Sequence, residues 1–402
     1  MCSAGGGWRL SSSLRFDGAG LTRVNSPQRR CGDSIPRLPS GGSQGETPAM
    51  FQEEAQPADE SASRHEAARR VAGPVFAALD LGTNNCRMLV GTPSGDGFRV
   101  LDSFSRIVRL GEGLHQTGAL SDTAMERTLA ALHTCAARLQ RRPVRKLRAI
   151  ATEACRRAAN GRAFLAQVKA ETGLDIGVIT AREEAELALE SCAPLLRGKE
   201  HRALLFDIGG GSTELAWVRL TEGRPALIGY DSLPIGVVTL AERWGSAGFC
   251  ADGFVTMVDD VVARLAPFES IHCIAREVRA GGVTLLGTSG TVTTLAGIAL
   301  GLPRYRRLLV DGAVLAAADA NAALANLRSL GRQGLIAHPC VGPERVDFVL
   351  PGCAVFAAIM RLWPAPQVIV ADRGLREGML LRMIRGERRH RSARAPGHRS
   401  SP

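Results

Sequence analysis

The stretch ALLFDIGGGSTELAWVRL (203–220) decides how the rest of the chain is read. An apolar run closes on Asp207, three glycines follow, and ELAWVRL then alternates apolar and polar residues with the period of a strand. A dinucleotide or Walker loop launches a helix from its glycines, so this segment predicts a strand–turn–strand hairpin instead. Consecutive glycines allow positive φ and bring backbone amides close to a ligand, and such a concavity binds anions. The plain alternative is a turn that merely consumes glycine. Against it stand Ser212 and Thr213, which add hydroxyl donors, and Asp207, whose carboxylate suits magnesium directly or through water. Gly209, Gly210, Gly211, Ser212 and Thr213 are therefore candidate phosphate-binding residues.

The pattern has an echo upstream. DLGTNNCR (80–87) also closes an apolar strand on an aspartate and leads into a second strand. Asp80 offers another carboxylate, Gly82 permits close approach, and Thr83 and Asn84 present polar donors. Arg87 follows on the strand, where its planar fork suits a phosphate. Two such hairpins predict two pseudo-symmetric halves whose turns face each other across a cleft.

Three further segments carry candidates. In TAREEAELALE (180–190), Thr180 and Glu183 match a capping box, which gives Glu183 a structural task. Glu184 lies one step round the helix, aligned with Leu187 and Ala188, and points inward where a carboxylate is costly without a purpose. The solvated alternative fits Glu186 and Glu190 better, so Glu184 is the candidate general base. ATEACRR (151–157) ends a strand, with Arg156 as a second phosphate grip or a plain surface arginine. GTSGTVTTLAG (287–297) is a glycine loop opening a helix, so Gly287, Ser289 and Gly290 are candidate anion contacts.

Between these motifs, strands alternate with helices, which predicts an α/β protein. At 402 residues with 45% hydrophobic content, the chain supports two ordinary cores. The expected organisation is a disordered extension over 1–72, a first domain over 73–180 rejoined by a helix at 373–386, a second domain over 181–386, and a basic disordered tail over 387–402. The net charge is +11 and nearly all of it is arginine, because only Lys146, Lys169 and Lys199 are lysines. This charge is spread along the chain, so nucleic acid is not the expected partner. The ten cysteines form no CxxC pair. Cys86, Cys155, Cys192, Cys273 and Cys353 read as reduced core thiols, which points to the cytoplasm. No apolar run reaches the about 18 residues of a membrane span.

As an ordered set, these motifs resemble the Ppx/GppA family of the actin–Hsp70–sugar-kinase superfamily. DLGTNNCR resembles its first phosphate loop, VRLGEGL (108–114) its substrate-side turn, ATEACR its arginine loop, TAREEAELAL its catalytic-glutamate helix, and DIGGGSTE its second phosphate loop. The resemblance covers about residues 74–386. It implies two ribonuclease-H-like domains, Mg2+, Glu184 and Glu214 as catalytic carboxylates, and Asp80, Asp207 and Glu214 as metal ligands. The implied reaction is release of terminal phosphate from inorganic polyphosphate, with the 5′ phosphate of pppGpp as the alternative substrate. A non-catalytic (p)ppGpp or polyphosphate sensor and a superfamily kinase are the rival classes. Longer members add a C-terminal helical domain, and a homodimer is the assembly the resemblance allows.

Overall fold

The computed structural model describes residues 73–221 and 225–394. The expected 1–72 extension and residues 395–402 of the expected tail lie outside the described residues.

Strand β1 (Val75–Leu81) pairs antiparallel with β2 (Asn85–Ser94), and β2 with β3 (Gly97–Ile107). On its other side β1 pairs parallel with β4 (Val144–Ala151), and β4 with the short β5 (Gly177–Val178). The second sheet repeats this scheme. Strands β6 (Arg202–Ile208), β7 (Thr213–Arg219) and β8 (Ala226–Leu233) form the antiparallel part. Strands β9 (Val283–Thr288) and β11 (Gln367–Ala371) continue parallel, and β10 (Val314–Ala316) adds an antiparallel edge. The orders are β3-β2-β1-β4-β5 and β10-β11-β9-β6-β7-β8. The match between β3-β2-β1-β4-β5 and β8-β7-β6-β9-β11 makes the protein two ribonuclease-H-like halves of the actin type.

The helices that build the site, in chain order, are α1 (Asp122–Gln140), α2 (Glu153–Arg157), α3 (Ala181–Cys192), α4 (Val237–Trp244), α5 (Ala251–His272), α6 (Gly290–Ala299), α7 (Val346–Leu362) and α8 (Leu375–Arg394). One apolar core lies under α1, joining Leu79, Met88 and Val90 to Leu132 and Cys135. A second joins Phe206 and Trp217 to Leu265 of α5 and to Phe356 of α7. The third is shared: Phe76 and Leu89 of the first sheet and Leu205 and Val218 of the second enclose Leu187 of α3 and Met379, Leu380 and Met383 of α8. Each sheet is thus covered on both faces, as parallel strands require. A side chain of this size contributes about 1.5–3 kcal/mol on full burial, so α8 is integral to both halves. The expected boundary at 180/181 falls at the start of α3, inside this shared layer.

Two expectations need correction. The basic tail from 387 is helical as far as Arg394, because the apolar stripe of α8 anchors it and Glu387 pairs with Arg145 of β4 at 2.8 Å. Cys273 is exposed rather than in a core, since it caps α5 in the left-handed conformation (φ 50°); Cys86, Cys155, Cys192 and Cys353 are buried and free. Among the described residues, no helix is long and apolar enough to cross a membrane.

The packing of α8 on α3 depends on the lack of a side chain at Gly378, where a Cβ would run into the Leu187 carbonyl oxygen. At Gly386, on the same helix, a Cβ would meet nothing within 4 Å. Gly378→Ala is expected to cost about 1–3 kcal/mol through overpacking, and Gly386→Ala to stabilise by up to about 1 kcal/mol through helix propensity. Denaturant midpoints measure both; equal effects would contradict this packing.

Candidate active site

The two glycine turns close in the same way: Gly82 N–H donates to Asn85 O at 2.9 Å and Gly209 N–H to Ser212 O at 2.9 Å. They also touch. A Cβ on Gly210 would sit 2.9 Å from Asn84 Cβ, and one on Gly211 would sit 2.6 Å from Thr83 Oγ1. A Cβ on Gly82 would meet only ordinary contact. The carbonyls of Gly209 and Gly210 accept from the Val237 and Val238 N–H groups of α4 at 3.0 and 2.8 Å. Among the described residues, the N–H groups of Thr83, Asn84, Gly210 and Gly211 donate to nothing in the chain. Four uncommitted amides at one contact make an anion-binding surface.

Four carboxylates converge beneath it. In the ladders Asp80 stands opposite Arg87 and Asp207 opposite Glu214. Burial raises the proton affinity of Asp80, while Arg87 and Arg376 oppose it. Asp207 is pushed up to about 6, first by burial, with Asp80 adding and Arg87 opposing. Glu214 is pushed up to about 8, by burial and then by Asp207, although Ser212 and Ser232 donate hydroxyl bonds to its Oε1. Ser212 is thus committed to Glu214, and the Thr213 hydroxyl donates to Ile235 O at 2.6 Å.

The two glutamates of α3 part ways as their helical positions predict. Glu184 is 7% exposed, and burial followed by Glu214 raises its pKa well above the ordinary value, with Arg156 opposing. Glu183 is half-buried, its N–H capped by Thr180 Oγ1 at 3.2 Å. The reciprocal half of the capping box is absent, because the Glu183 carboxylate pairs with Arg148 of β4. Arg156 reaches Glu184 Oε2 at 3.2 Å and is held by Glu153 at 2.7 Å.

In the GTSG loop, Gly287 serves packing: a Cβ would lie 2.6 Å from the Phe206 ring. Ser289 has φ 103° and a buried hydroxyl with no partner among the described residues. A non-glycine residue held in that region stores strain, which concentrates at functional sites. A Cβ on Gly290 would lie 3.6 Å from Arg345 Nη1. Arg345 and Arg376 are site residues that motif reading missed. Arg345, at the start of α7, also donates to Thr294 Oγ1 at 3.3 Å; burial lowers its proton affinity, and Arg87 lowers it further. Arg376 occupies the first turn of α8, where burial lowers its proton affinity and Glu377 and Asp80 oppose the shift. No local signal marked the pair, because the helix starts PERVDFVL and RGLREGML carry other charged residues beside them.

The expected metal ligands do not form a three-carboxylate cage, since among the described residues no group of three ligand-type side chains is arranged to hold an ion. The carboxylates lie on separate strand ends of two sheets. Asp80 Oδ1 nevertheless is buried without a hydrogen-bond partner among the described residues, and Mg2+ needs only one or two carboxylates when water and phosphate complete its shell. The residues fit magnesium in that manner.

The comparisons with known proteins agree with this geometry. The Ppx/GppA phosphatase family matches across residues 90–387. The guanosine-5'-triphosphate,3'-diphosphate pyrophosphatase of Photobacterium profundum is 30% identical over 330 residues, which covers 80% of this chain and 62% of the relative's length. Among solved structures, the Ppx/GppA family member of Aquifex aeolicus is 27% identical with a TM-score of 0.64, covering 78% of this chain and 98% of that one. An exopolyphosphatase from Cytophaga hutchinsonii is 25% identical with a TM-score of 0.69, at 78% and 98% coverage. With the strand order repeated in both sheets and the two glycine turns meeting over buried carboxylates, the match settles the family: this chain belongs to the Ppx/GppA phosphatases.

Proposed function

We propose that this protein is a cytoplasmic hydrolase that releases terminal orthophosphate from inorganic polyphosphate, with Glu184 as the general base. The observation that carries the reading is the burial of Glu184 beside Glu214. Burying two glutamates together is costly, and a site that must take a proton from water supplies the reason. The uncommitted amides of Thr83, Asn84, Gly210 and Gly211 would hold the terminal phosphate, with Arg87 and Arg345 countering its charge. Magnesium, carried by Asp80 and Asp207 together with water and phosphate oxygens, would supply charge neutralisation at the transferred group. Glu184 then orients a water in line with the terminal phosphorus and accepts its proton as the bridging oxygen leaves. A second substrate, pppGpp, is favoured by one finding, the name of the Photobacterium relative. The same amides and arginines accept a 5′ triphosphate end.

Glu184→Gln keeps the shape but removes the base, so kcat is expected to fall about 10²–10⁴-fold with KM little changed. Glu183→Gln is the neighbouring control, and it should cost little in rate because Glu183 faces Arg148 rather than the site. Phosphate release from polyphosphate, pppGpp and ATP, measured side by side, reads both variants and the substrate class. A dead Glu183→Gln beside an active Glu184→Gln would place the base elsewhere.

The electrostatics yield a separate test. The folded state holds Glu214 at about 8 against an ordinary 4.5, so between these values it keeps a proton that the unfolded chain has lost. Stability from this group is present at low pH and is lost as pH rises through 8. In metal-free buffer, the melting temperature of Glu214→Gln relative to wild type should therefore climb from about pH 5 to about pH 9. A difference that is flat or falls with pH would contradict the burial of an uncompensated Glu214.

A further inference from the structure

Arg156 was expected to grip phosphate, yet most of its donors are already committed. Nε and Nη2 donate to Glu153 Oε2 at 3.1 and 2.7 Å, and Nη1 donates to the Ile179 carbonyl at 3.0 Å and to Glu184 Oε2 at 3.2 Å. These bonds use four of the five N–H groups of the guanidinium. To hold a phosphate oxygen pair with its fork, Arg156 would have to release a glutamate.

Glu153 is the unexplained member. It lies in the first turn of α2 and is 8% exposed. A carboxylate there is costly unless it is paired, and its pairing is directed at Arg156, with Arg157 Nε a further 3.7 Å from Oε1. Arg156 itself is fixed at three points: Glu153 on its own helix, the Ile179 carbonyl beyond β5, and Glu184 on α3. A guanidinium is planar and rigid, so fixing Nε and Nη2 on Glu153 dictates where Nη1 points. It points at one oxygen of Glu184. The other oxygen, Oε1, is left to take the proton.

We propose that Glu153 and Arg156 are positioning residues for Glu184, forming a carboxylate–guanidinium–carboxylate chain that sets the direction of the base, and that Arg156 is not a phosphate grip. The inference rests on the reading of Glu184 as general base. It differs from it in adding Glu153 to the residues on which the rate depends and in moving Arg156 from affinity to turnover.

The test is a set of steady-state measurements on polyphosphate and on pppGpp with Glu153→Gln, Arg156→Lys, Glu184→Gln and the double variant Glu153→Gln/Glu184→Gln. Misplacing a catalytic group by about 1 Å costs up to about 100-fold. Glu153→Gln and Arg156→Lys are therefore each expected to lower kcat by about 10–100-fold with KM within about twofold. Lysine keeps the charge but loses the fork, so it also separates positioning from simple phosphate attraction, and it carries the test alone if Glu153→Gln melts early. In the Glu184→Gln background, Glu153→Gln should cost nothing further, because its effect runs through the missing base. A raised KM with unchanged kcat for Arg156→Lys would overturn the inference and restore Arg156 as a phosphate grip. So would an equal loss from Glu153→Gln in both backgrounds. A Glu184→Gln enzyme with wild-type kcat would sink the base reading itself, and that single variant reports it independently of the others.

Discussion

The approach of two glycine turns to one another sets the terms for everything else in this protein. Gly210 and Gly211 can lie against Asn84 and Thr83 only because they lack Cβ atoms, and the aspartates at the strand ends are carried in with them. Asp80 and Asp207 come from different sheets; burial raises the proton affinity of both, and Asp80 raises that of Asp207 further. Where the turns meet, four buried carboxylates are gathered. Such a region is stable only if positive charge is built in alongside. Arg87, Arg156, Arg345 and Arg376 supply it, each from a different element.

The rest of the fold serves to hold that contact. The shared apolar layer of α3 and α8 ties the sheets together on the side where Glu184 and Arg376 arise. Glu377, next to Arg376, shows how firmly α8 is fixed there. Burial pushes its carboxyl up, but Arg376, Arg307 and the Gly374 N–H outweigh this and leave it below its usual range. Glu184 has only Arg156 on its side, against burial and Glu214, and stays raised. Of two buried glutamates, one is neutralised by its surroundings and the other is kept hungry for a proton. That difference is what a general base requires.

Much of this was legible in the sequence because the signals were local. A glycine run after an apolar strand, an alternating strand behind it, and a cap three residues before a glutamate are all short-range patterns, and β6, β7 and α3 follow them. What stayed hidden depended on contacts between distant segments. Strand β3 has a half-exposed surface with no clean alternation, so only its pairing with β2 reveals it. Helix α7 carries Pro351 in its interior, which local rules read as a break, although burial of Val355, Phe356 and Ile359 outweighs the lost bond. Arg345 and Arg376 escaped because nothing nearby in sequence marks an arginine at a helix start as buried. The bonds that occupy Arg156 come from Glu153, Ile179 and Glu184, and no single motif contains all three.

The central claim is that water, steered by Glu184, attacks the terminal phosphorus in one displacement with no covalent enzyme intermediate. The stereochemical course measures this directly: a substrate whose terminal group is a chiral, isotopically labelled thiophosphoryl is hydrolysed in labelled water, and the configuration of the released thiophosphate is determined. One in-line attack predicts inversion at phosphorus. Retention would mean two successive displacements through a phosphorylated side chain, and would contradict the assignment of Glu184 as a base.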